Sequence, residues 1–242
     1  QMTTSMFCAS RCKFCWRGEK APVAKEWYGE IDEPNHIINH AIDAHLQLLI
    51  GFKGKKDVNM DMYNQSRDVK HVALSLTGEP ISYPKINEIL QEFHKRKIST
   101  FLVTNAQYPE QIQKMDNVTQ FYISVDAPNK VMLKDIDVPL FPDYYERLLK
   151  SLDIMKQKKF RSCIRLTVIK DYNDSDINGH RGLIEIGDPD FQTPNNIIRV
   201  ANNAMKGGYT HYTSSYGLEE FRKEICNTTK RSRGFLPKIN QV

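Results

Sequence analysis

The chain has 242 residues, of which 40% are hydrophobic and 26% charged, so it can bury a sizeable core without disulfide bonds. Its five cysteines do not form a disulfide framework and indicate a reducing, cytoplasmic compartment. No run of about eighteen apolar residues occurs, which argues against a membrane partner, and a net charge of +5 permits a nucleic-acid partner without requiring one.

Three cysteines lie close together near the start of the chain. A short predicted strand, Met2 to Phe7, leads into a loop that holds Cys8, Cys12 and Cys15 in a C-x3-C-x2-C spacing. A structural zinc site normally takes four protein ligands, so three thiols are too few to close one. A cubane iron–sulfur cluster also has four corners, and three cysteines would leave one iron open. The spacing therefore predicts a [4Fe-4S] cluster with a free coordination position.

A rival interpretation comes from the next segment. Pro34 begins a predicted helix whose apolar residues recur with a period near 3.6. His36 and His40 lie four residues apart on it and could face one metal, which would turn the three thiols into a Cys3His zinc site. Residues 51–68 are polar and lysine-rich without periodicity, so a long loop is expected there.

Strands and helices alternate from there onward. The predicted strands are Lys70–Leu76, Thr100–Val103, Gln120–Val125 and Cys163–Ile169, and the predicted helices are Pro84–Lys97, Pro109–Lys114 and Tyr144–Lys156. This alternation predicts an α/β fold with a parallel sheet and right-handed crossovers. Working residues collect at the carboxyl ends of such strands. The residues expected there are Glu79, Asn105, Ser124, Asp126 and Lys170. Cys163, within a strand, is expected in the core.

Several motifs resemble one family, the tRNA 4-demethylwyosine synthases, which are radical S-adenosylmethionine enzymes. The motifs are Cys12-Lys-Phe-Cys-Trp-Arg17, Glu26-Trp27, Asp32-Glu-Pro34, Ala73-Leu-Ser-Leu-Thr-Gly-Glu-Pro80, Phe101-Leu-Val-Thr-Asn-Ala-Gln107, Tyr122-Ile-Ser-Val-Asp-Ala127 and Arg165-Leu-Thr-Val-Ile-Lys170. The resemblance implies a radical domain over residues 1–187, built as a partial (β/α)6 barrel that lacks its sixth strand. It also implies formation of 4-demethylwyosine from N1-methylguanosine in tRNA and a two-carbon unit of pyruvate.

The resemblance also implies roles for individual residues. Cys8, Cys12 and Cys15 would hold three irons of the cluster. Gly78 and Glu79 would hold the methionyl ammonium of S-adenosylmethionine, although Thr77 stands where the superfamily has a first glycine. Asn105 and Ser124 would meet the carboxylate or ribose of the cofactor, and Arg165 a carboxylate. No residue is assigned a catalytic role.

Further partners follow from the same resemblance. They are the tRNA substrate, pyruvate and an electron donor, namely a flavodoxin-like domain or protein. The family carries a second [4Fe-4S] cluster, held by cysteines upstream of the triad, and the expectation is that this apparatus is missing here because nothing precedes Gln1. The protein is therefore expected to be an enzyme that truncation could have inactivated.

The end of the chain has a different character. From about residue 183 to residue 242 it resembles the amino-terminal part of fold-type I aminotransferases, with predicted helices over Pro194–Lys206 and Leu218 to about Thr228, and Tyr212 matches a phosphate-contacting tyrosine of that family. The Schiff-base lysine has no counterpart, so pyridoxal phosphate is not expected. A chimera joined near Gly187-Asp-Pro-Asp-Phe191 is predicted, with residues 188–242 as a mainly helical second domain. The alternative functions are an aminotransferase fragment and a non-catalytic zinc- or RNA-binding fragment.

Overall fold

The computed structural model describes residues 1–170, 172–187, 195–207, 219–234 and 236–239. These residues divide into two compact units, Gln1–Gln192 and Thr193–Val242. The residues directly after Phe191, where a sixth strand would begin, and Tyr212 lie outside the described residues. The expected lack of this strand therefore stays a prediction.

A four-stranded parallel sheet forms the centre of the first unit. Its strands are β1 (His71–Leu74), β2 (Ser99–Thr104), β3 (Gln120–Val125) and β4 (Ser162–Leu166), in the order β1-β2-β3-β4. Four of the five predicted strands are confirmed. The strand predicted over Met2 to Phe7 is reduced to a single parallel bridge between Met2 and Leu74. The α/β class is therefore confirmed, and within the described residues the sheet has four strands where five were predicted.

Helices connect the strands of this unit. They are α1 (Pro34–Ile50), α2 (Met60–Ser66), α3 (Ile86–Lys95), α4 (Pro109–Lys114), α5 (Lys130–Asp137), α6 (Tyr144–Gln157) and α7 (Ile177–Gly187), with a 3-10 turn at Pro80–Ser82. The predictions for α1, α3, α4 and α6 are confirmed. The sequence patterns did not predict α2, α5 or α7.

The segment expected to be a long loop contains α2. Asn59 caps this helix because its side-chain oxygen accepts hydrogen bonds from the backbone amides of Asp61 and Met62. Tyr63 is the one residue of α2 that is buried. The prediction was wrong because a seven-residue helix with a single buried side chain leaves almost no periodic signal.

The two faces of the sheet differ in their environment. Leu74, Leu102 and Phe121 are aligned across β1, β2 and β3, and they are fully buried in a core shared with the helices. Alternate residues point to the opposite face, where Ser124 is paired with Arg165 in the register of β3 and β4. Cys163 shares that face and is exposed, so its expected core position was wrong.

The second unit is described through two helices, α8 (Asn195–Lys206) and α9 (Glu219–Arg233). Both confirm helices that the sequence predicted, with α9 extending further than expected. Within the described ranges, none of the helices combines the length and the apolar character that crossing a lipid bilayer demands.

Candidate metal centre and cofactor site

The cysteine loop is a compact turn system with three free, partly buried thiols. The amide of Cys8 donates to the carbonyl of Pro22 (3.2 Å), and the carbonyl of Cys8 accepts from the amide of Ala24 (3.0 Å). The amide of Cys15 donates to the carbonyl of Cys12 (2.9 Å), which closes a turn between two of the thiols. The backbone therefore fixes the triad before any metal binds.

The C-terminal end of α5 accepts backbone hydrogen bonds from this loop. The amide of Lys13 donates to the carbonyl of Ile136 (2.9 Å), and the amide of Arg11 donates to the carbonyl of Asp137 (3.0 Å). These carbonyls would otherwise be unsatisfied, because the last four carbonyls of a helix have no partner within it. Helix α5 was not predicted from the sequence, although Asn129 is a typical N-cap residue and its side chain accepts a hydrogen bond from the amide of Met132.

Burial and nearby carboxyl groups favour the protonated form of the Cys8 and Cys12 thiols. Burial, followed by the charge of Glu79, raises the pKa of Cys8 to about 12. Burial and the neighbouring Asp137 carboxylate also raise the pKa of Cys12, whose thiol donates a hydrogen bond to Asp137. Thiolates are the forms that bind metal, so loading this site must release protons.

Glu79 lies at the end of the loop that follows β1 and is only 2% exposed. Its Oε2 accepts a hydrogen bond from the amide of Asn105 (3.0 Å), while its Oε1 is buried without a hydrogen-bond partner among the described residues. Burial raises the pKa of this carboxyl to about 7. A buried acceptor without a donor is costly, so this oxygen fits a ligand that brings an N–H group, such as a substituted ammonium.

Asn105 joins this carboxylate to the cysteine loop. Its backbone amide binds Glu79, and its side-chain Nδ2 donates to the sulfur of Cys8 at 3.3 Å. Asn105 follows directly after β2, as expected for a residue at a strand end. The structure thus brings together three predicted site residues from three separate parts of the chain.

Gly78 is constrained by packing against the chain segment that leads to the cysteines. Its φ is +64°, and a Cβ at this position would lie 1.9 Å from the carbonyl oxygen of Ser5. The amide of the next residue, Glu79, donates to the carbonyl of Phe7 (2.8 Å). Glycine is therefore needed here to let two backbones approach, whatever contact this residue makes with a cofactor.

Ser124 and Arg165 lie on the open face of the sheet. A guanidinium nitrogen of Arg165 donates to the hydroxyl of Ser124 at 2.9 Å. Ser124 is 7% exposed, whereas Arg165 is exposed, so the guanidinium keeps donors free for an anionic group. Their predicted contacts with a cofactor stay predictions.

Two buried carboxylates beside the triad were not assigned in the sequence analysis. Asp126, at the end of β3, and Asp137, at the end of α5, each have one buried oxygen that finds no hydrogen-bond partner in the described part of the chain. Burial raises the pKa of both, and the charge of Asp126 adds to the effect on Asp137. Asp126 was predicted at a strand end but given no role. Asp137 was not predicted because it lies in α5, a helix that the sequence patterns did not predict.

The described residues offer little support for the rival zinc site. No group of three or more histidine, cysteine or acidic side chains in the described part of the chain is arranged to hold one metal ion. A cluster differs from a zinc ion because each thiolate binds a different iron, so the thiols need not converge on one point. His36 and His40 are exposed on α1, where their rings lie 4.3 Å apart and contact each other.

Comparisons with known proteins agree with this arrangement. A family model described as the Radical SAM superfamily matches residues 2–184. An S-adenosyl-L-methionine-dependent tRNA 4-demethylwyosine synthase from Arabidopsis thaliana is 45% identical over 191 residues, which cover 79% of this chain and 30% of that protein. The chain spans less than a third of the length of the curated relatives it matches first.

Two solved structures resemble the fold closely. A structure of TYW1 with a lysine–pyruvate adduct bound gives a TM-score of 0.68 at 29% identity and covers 95% of this chain and 72% of that one. The crystal structure of an archaeal TYW1 gives 0.65 at 30% identity and covers 84% and 70%. The comparisons give no support to the aminotransferase resemblance of residues 183–242.

Proposed function

Since this chain belongs to the radical SAM superfamily, we propose that it acts as a tRNA 4-demethylwyosine synthase. The enzyme would convert N1-methylguanosine in tRNA to 4-demethylwyosine with a two-carbon unit from pyruvate. The observation that carries the proposal is the pair of contacts made by Asn105, which binds the sulfur of Cys8 and Oε2 of Glu79, while Oε1 of this buried carboxyl has no hydrogen-bond partner among the described residues. The identity to the plant synthase and the adduct named for the structural relative support this substrate pair.

The residues present fit a cluster and S-adenosylmethionine. Cys8, Cys12 and Cys15 would hold three irons of a [4Fe-4S] cluster. Such a cluster, when bound, supplies the electron that cleaves S-adenosylmethionine to methionine and a 5′-deoxyadenosyl radical. Glu79 would accept the hydrogen bond of the methionyl ammonium through Oε1, and burial would keep water from competing for that oxygen.

The neighbouring strand ends would orient the rest of the cofactor. Asn105 would hold Glu79 and Cys8 at a fixed separation through its two hydrogen bonds. Arg165, braced by Ser124, would bind a carboxylate of the cofactor or of pyruvate. Gly78 would act by allowing the close backbone approach that places Glu79. The same proposal includes a partial (β/α)6 barrel, a flavodoxin-like electron donor and action in the reducing cytoplasm.

The experiment is anaerobic reconstitution of the whole chain with iron and sulfide. Reduction with dithionite should then yield 5′-deoxyadenosine from S-adenosylmethionine, and tRNA that carries N1-methylguanosine should give 4-demethylwyosine in the presence of pyruvate, detected by nucleoside mass. A matched preparation of the Cys12→Ala variant controls for iron bound elsewhere. A loaded wild-type chain that cleaves S-adenosylmethionine but leaves the methylated guanosine unchanged would refute the assigned substrate.

The second unit has a separate expectation. The aminotransferase resemblance and the predicted chimera junction stay predictions, and the absence of a Schiff-base lysine leads us to propose that this unit binds no pyridoxal phosphate. Incubation with pyridoxal phosphate followed by borohydride should give no specific labelled lysine in residues 183–242. One stoichiometrically labelled lysine there would contradict the proposal.

A further inference from the structure

Trp16 follows the last cysteine of the triad directly and is 72% exposed. Exposure of so large an apolar ring is unfavourable, since a buried aromatic side chain gains about 1.5–3 kcal/mol relative to an exposed one. The other tryptophan, Trp27, packs edge-on against Phe7 and Tyr83 with centroid distances of 5.7 and 5.6 Å. The two indoles therefore have contrasting environments in the same region.

The exposed ring is nevertheless held in place. The indole N–H of Trp16 donates to the carbonyl of Leu76 at 3.0 Å. Leu76 has a φ of +80°, an unusual conformation for a residue with a side chain. The ring is thus anchored at one edge while most of its surface is open to solvent.

The position of the ring relates it to the proposed site. Trp16 extends from the cysteine loop to the loop that follows β1, and Glu79 lies three residues beyond Leu76. These two loops carry the cluster ligands and the carboxylate proposed to bind S-adenosylmethionine. A nucleotide that reacts at this site must enter beside them, so its neighbours in the RNA pass close to Trp16.

The segment around Trp16 carries a net positive charge, which favours binding of a polyanion such as RNA. Residues 11–20 contain four basic side chains and one acidic side chain, and of the four basic ones Lys13 is paired with Asp135. Arg17, next to the ring, donates to the carbonyl of Met6 at 2.7 Å and remains partly exposed, and Lys20 is exposed. An open aromatic face on a segment rich in cations suits an unpaired base, because the base stacks and its phosphates meet the positive charge.

We propose that Trp16 is a stacking platform for an unpaired base of the RNA substrate, adjacent to the nucleotide that reacts. This inference rests on the proposed function, since it takes a tRNA anticodon loop as the ligand. It adds a binding residue outside the cluster ligands and the cofactor contacts. The N–H bond to Leu76 holds the ring in a fixed orientation, which lowers the entropic cost of stacking.

The test measures binding of a fluorescein-labelled anticodon stem-loop RNA to the reconstituted chain by anisotropy, at several salt concentrations. Trp16→Ala should weaken binding by about 5- to 150-fold, the range that follows from loss of one base–aromatic stack. Trp16→Phe, which keeps an aromatic face, should stay within about threefold of the wild type. The salt dependence of binding should be the same in all three proteins, because stacking releases no counterions.

Trp27→Phe is the matched control, since it changes the packed indole and should leave RNA affinity unchanged. Binding of S-adenosylmethionine is measured in parallel. Equal RNA affinity of the wild type and Trp16→Ala would overturn the inference while leaving the proposed function intact. Equal losses in Trp16→Ala and Trp16→Phe would overturn it too, because the N–H anchor and not the face would then matter. A wild-type chain that binds no RNA would overturn both proposals.

Discussion

Among the residues proposed to contact the cofactor, Glu79 is the most deeply buried. Its carboxyl is fully enclosed, and one of its oxygens has no donor in the described structure. The motif Thr77-Gly-Glu-Pro80 allowed the acid to be predicted from sequence. Its bond to the Asn105 amide was not predictable, because it depends on how the ends of β1 and β2 meet in space.

A pH-dependent stability follows from this burial. The pKa of Glu79 is raised from its ordinary 4.5 to about 7, so the folded state binds this proton more tightly than the unfolded state. The free energy of unfolding of the cluster-free protein should therefore fall as pH rises from about 4.5 to about 7, by about 3 kcal/mol at most. Glu79→Gln should remove this part of the pH dependence in urea titrations.

The exposed Glu30 supplies the control for that experiment. Glu30→Gln removes the same charge without changing a buried group, so its stability profile should follow that of the wild type. A Glu79→Gln profile that runs parallel to the wild type across pH 4.5–7 would show that burial of the carboxyl has little thermodynamic effect.

Gly78 and Gly18 form a matched pair for a second prediction. Both have positive φ, at +64° and +71°, but a Cβ at Gly78 would strike the Ser5 carbonyl, whereas nothing lies within 4 Å of one at Gly18. Gly18→Ala should cost about 1 kcal/mol for the backbone conformation alone. Gly78→Ala should cost more than about 3 kcal/mol or prevent folding, since backbone must move. Equal unfolding free energies in the two variants would contradict the packing role given to Gly78.

At the scale of elements, α5 is the support of the metal centre that the sequence did not reveal. Its eight residues give a weak periodic signal, and the family motifs end before it and resume after it. The strands were easier to predict because β3 contains continuous apolar residues such as Phe121 and Ile123, which are completely buried. Short helices with few buried residues depend on tertiary contacts that a sequence pattern does not contain.

Asn129→Ala tests the importance of α5 for the cysteine loop. Loss of the cap should reduce the free energy of unfolding by about 1 kcal/mol and should slow iron uptake during reconstitution, because α5 carries the carbonyls that bind Arg11 and Lys13. Asn59→Ala removes the equivalent cap of α2, a helix that makes no backbone hydrogen bond to the cysteine loop within the described residues. It should cost similar stability and leave iron uptake unchanged. Equal iron uptake in both variants would show that α5 does not contribute to metal binding.

For the whole molecule, the parallel α/β sheet was predictable from the alternation of elements, but the environment of each face was not. Cys163 illustrates the difference, since an apolar strand suggested a core position while the register places it with Arg165 on the exposed side. Periodicity indicates that residues share a face, and only the tertiary structure shows which face the helices cover.

The thiols provide a prediction that involves the whole chain. Cys163 is exposed and Cys226 is buried, so a short maleimide treatment of the cluster-loaded protein should label Cys163 alone. Removal of the cluster should add slower labelling at Cys8, Cys12 and Cys15, because burial raises the pKa of the first two. Cys163→Ser should abolish the fast reaction. Equal labelling of the triad with and without iron would mean that those thiols hold no metal.

The central claim is that three thiolates and Glu79 form one site for a cluster and S-adenosylmethionine. The most direct measurement is the amount of 5′-deoxyadenosine formed from S-adenosylmethionine by the reconstituted, dithionite-reduced chain. The account predicts cleavage by the wild type, none by Cys8→Ala, Cys12→Ala or Cys15→Ala, and weakened S-adenosylmethionine binding with normal iron content in Glu79→Gln. A fully loaded wild-type chain that forms no 5′-deoxyadenosine would contradict it.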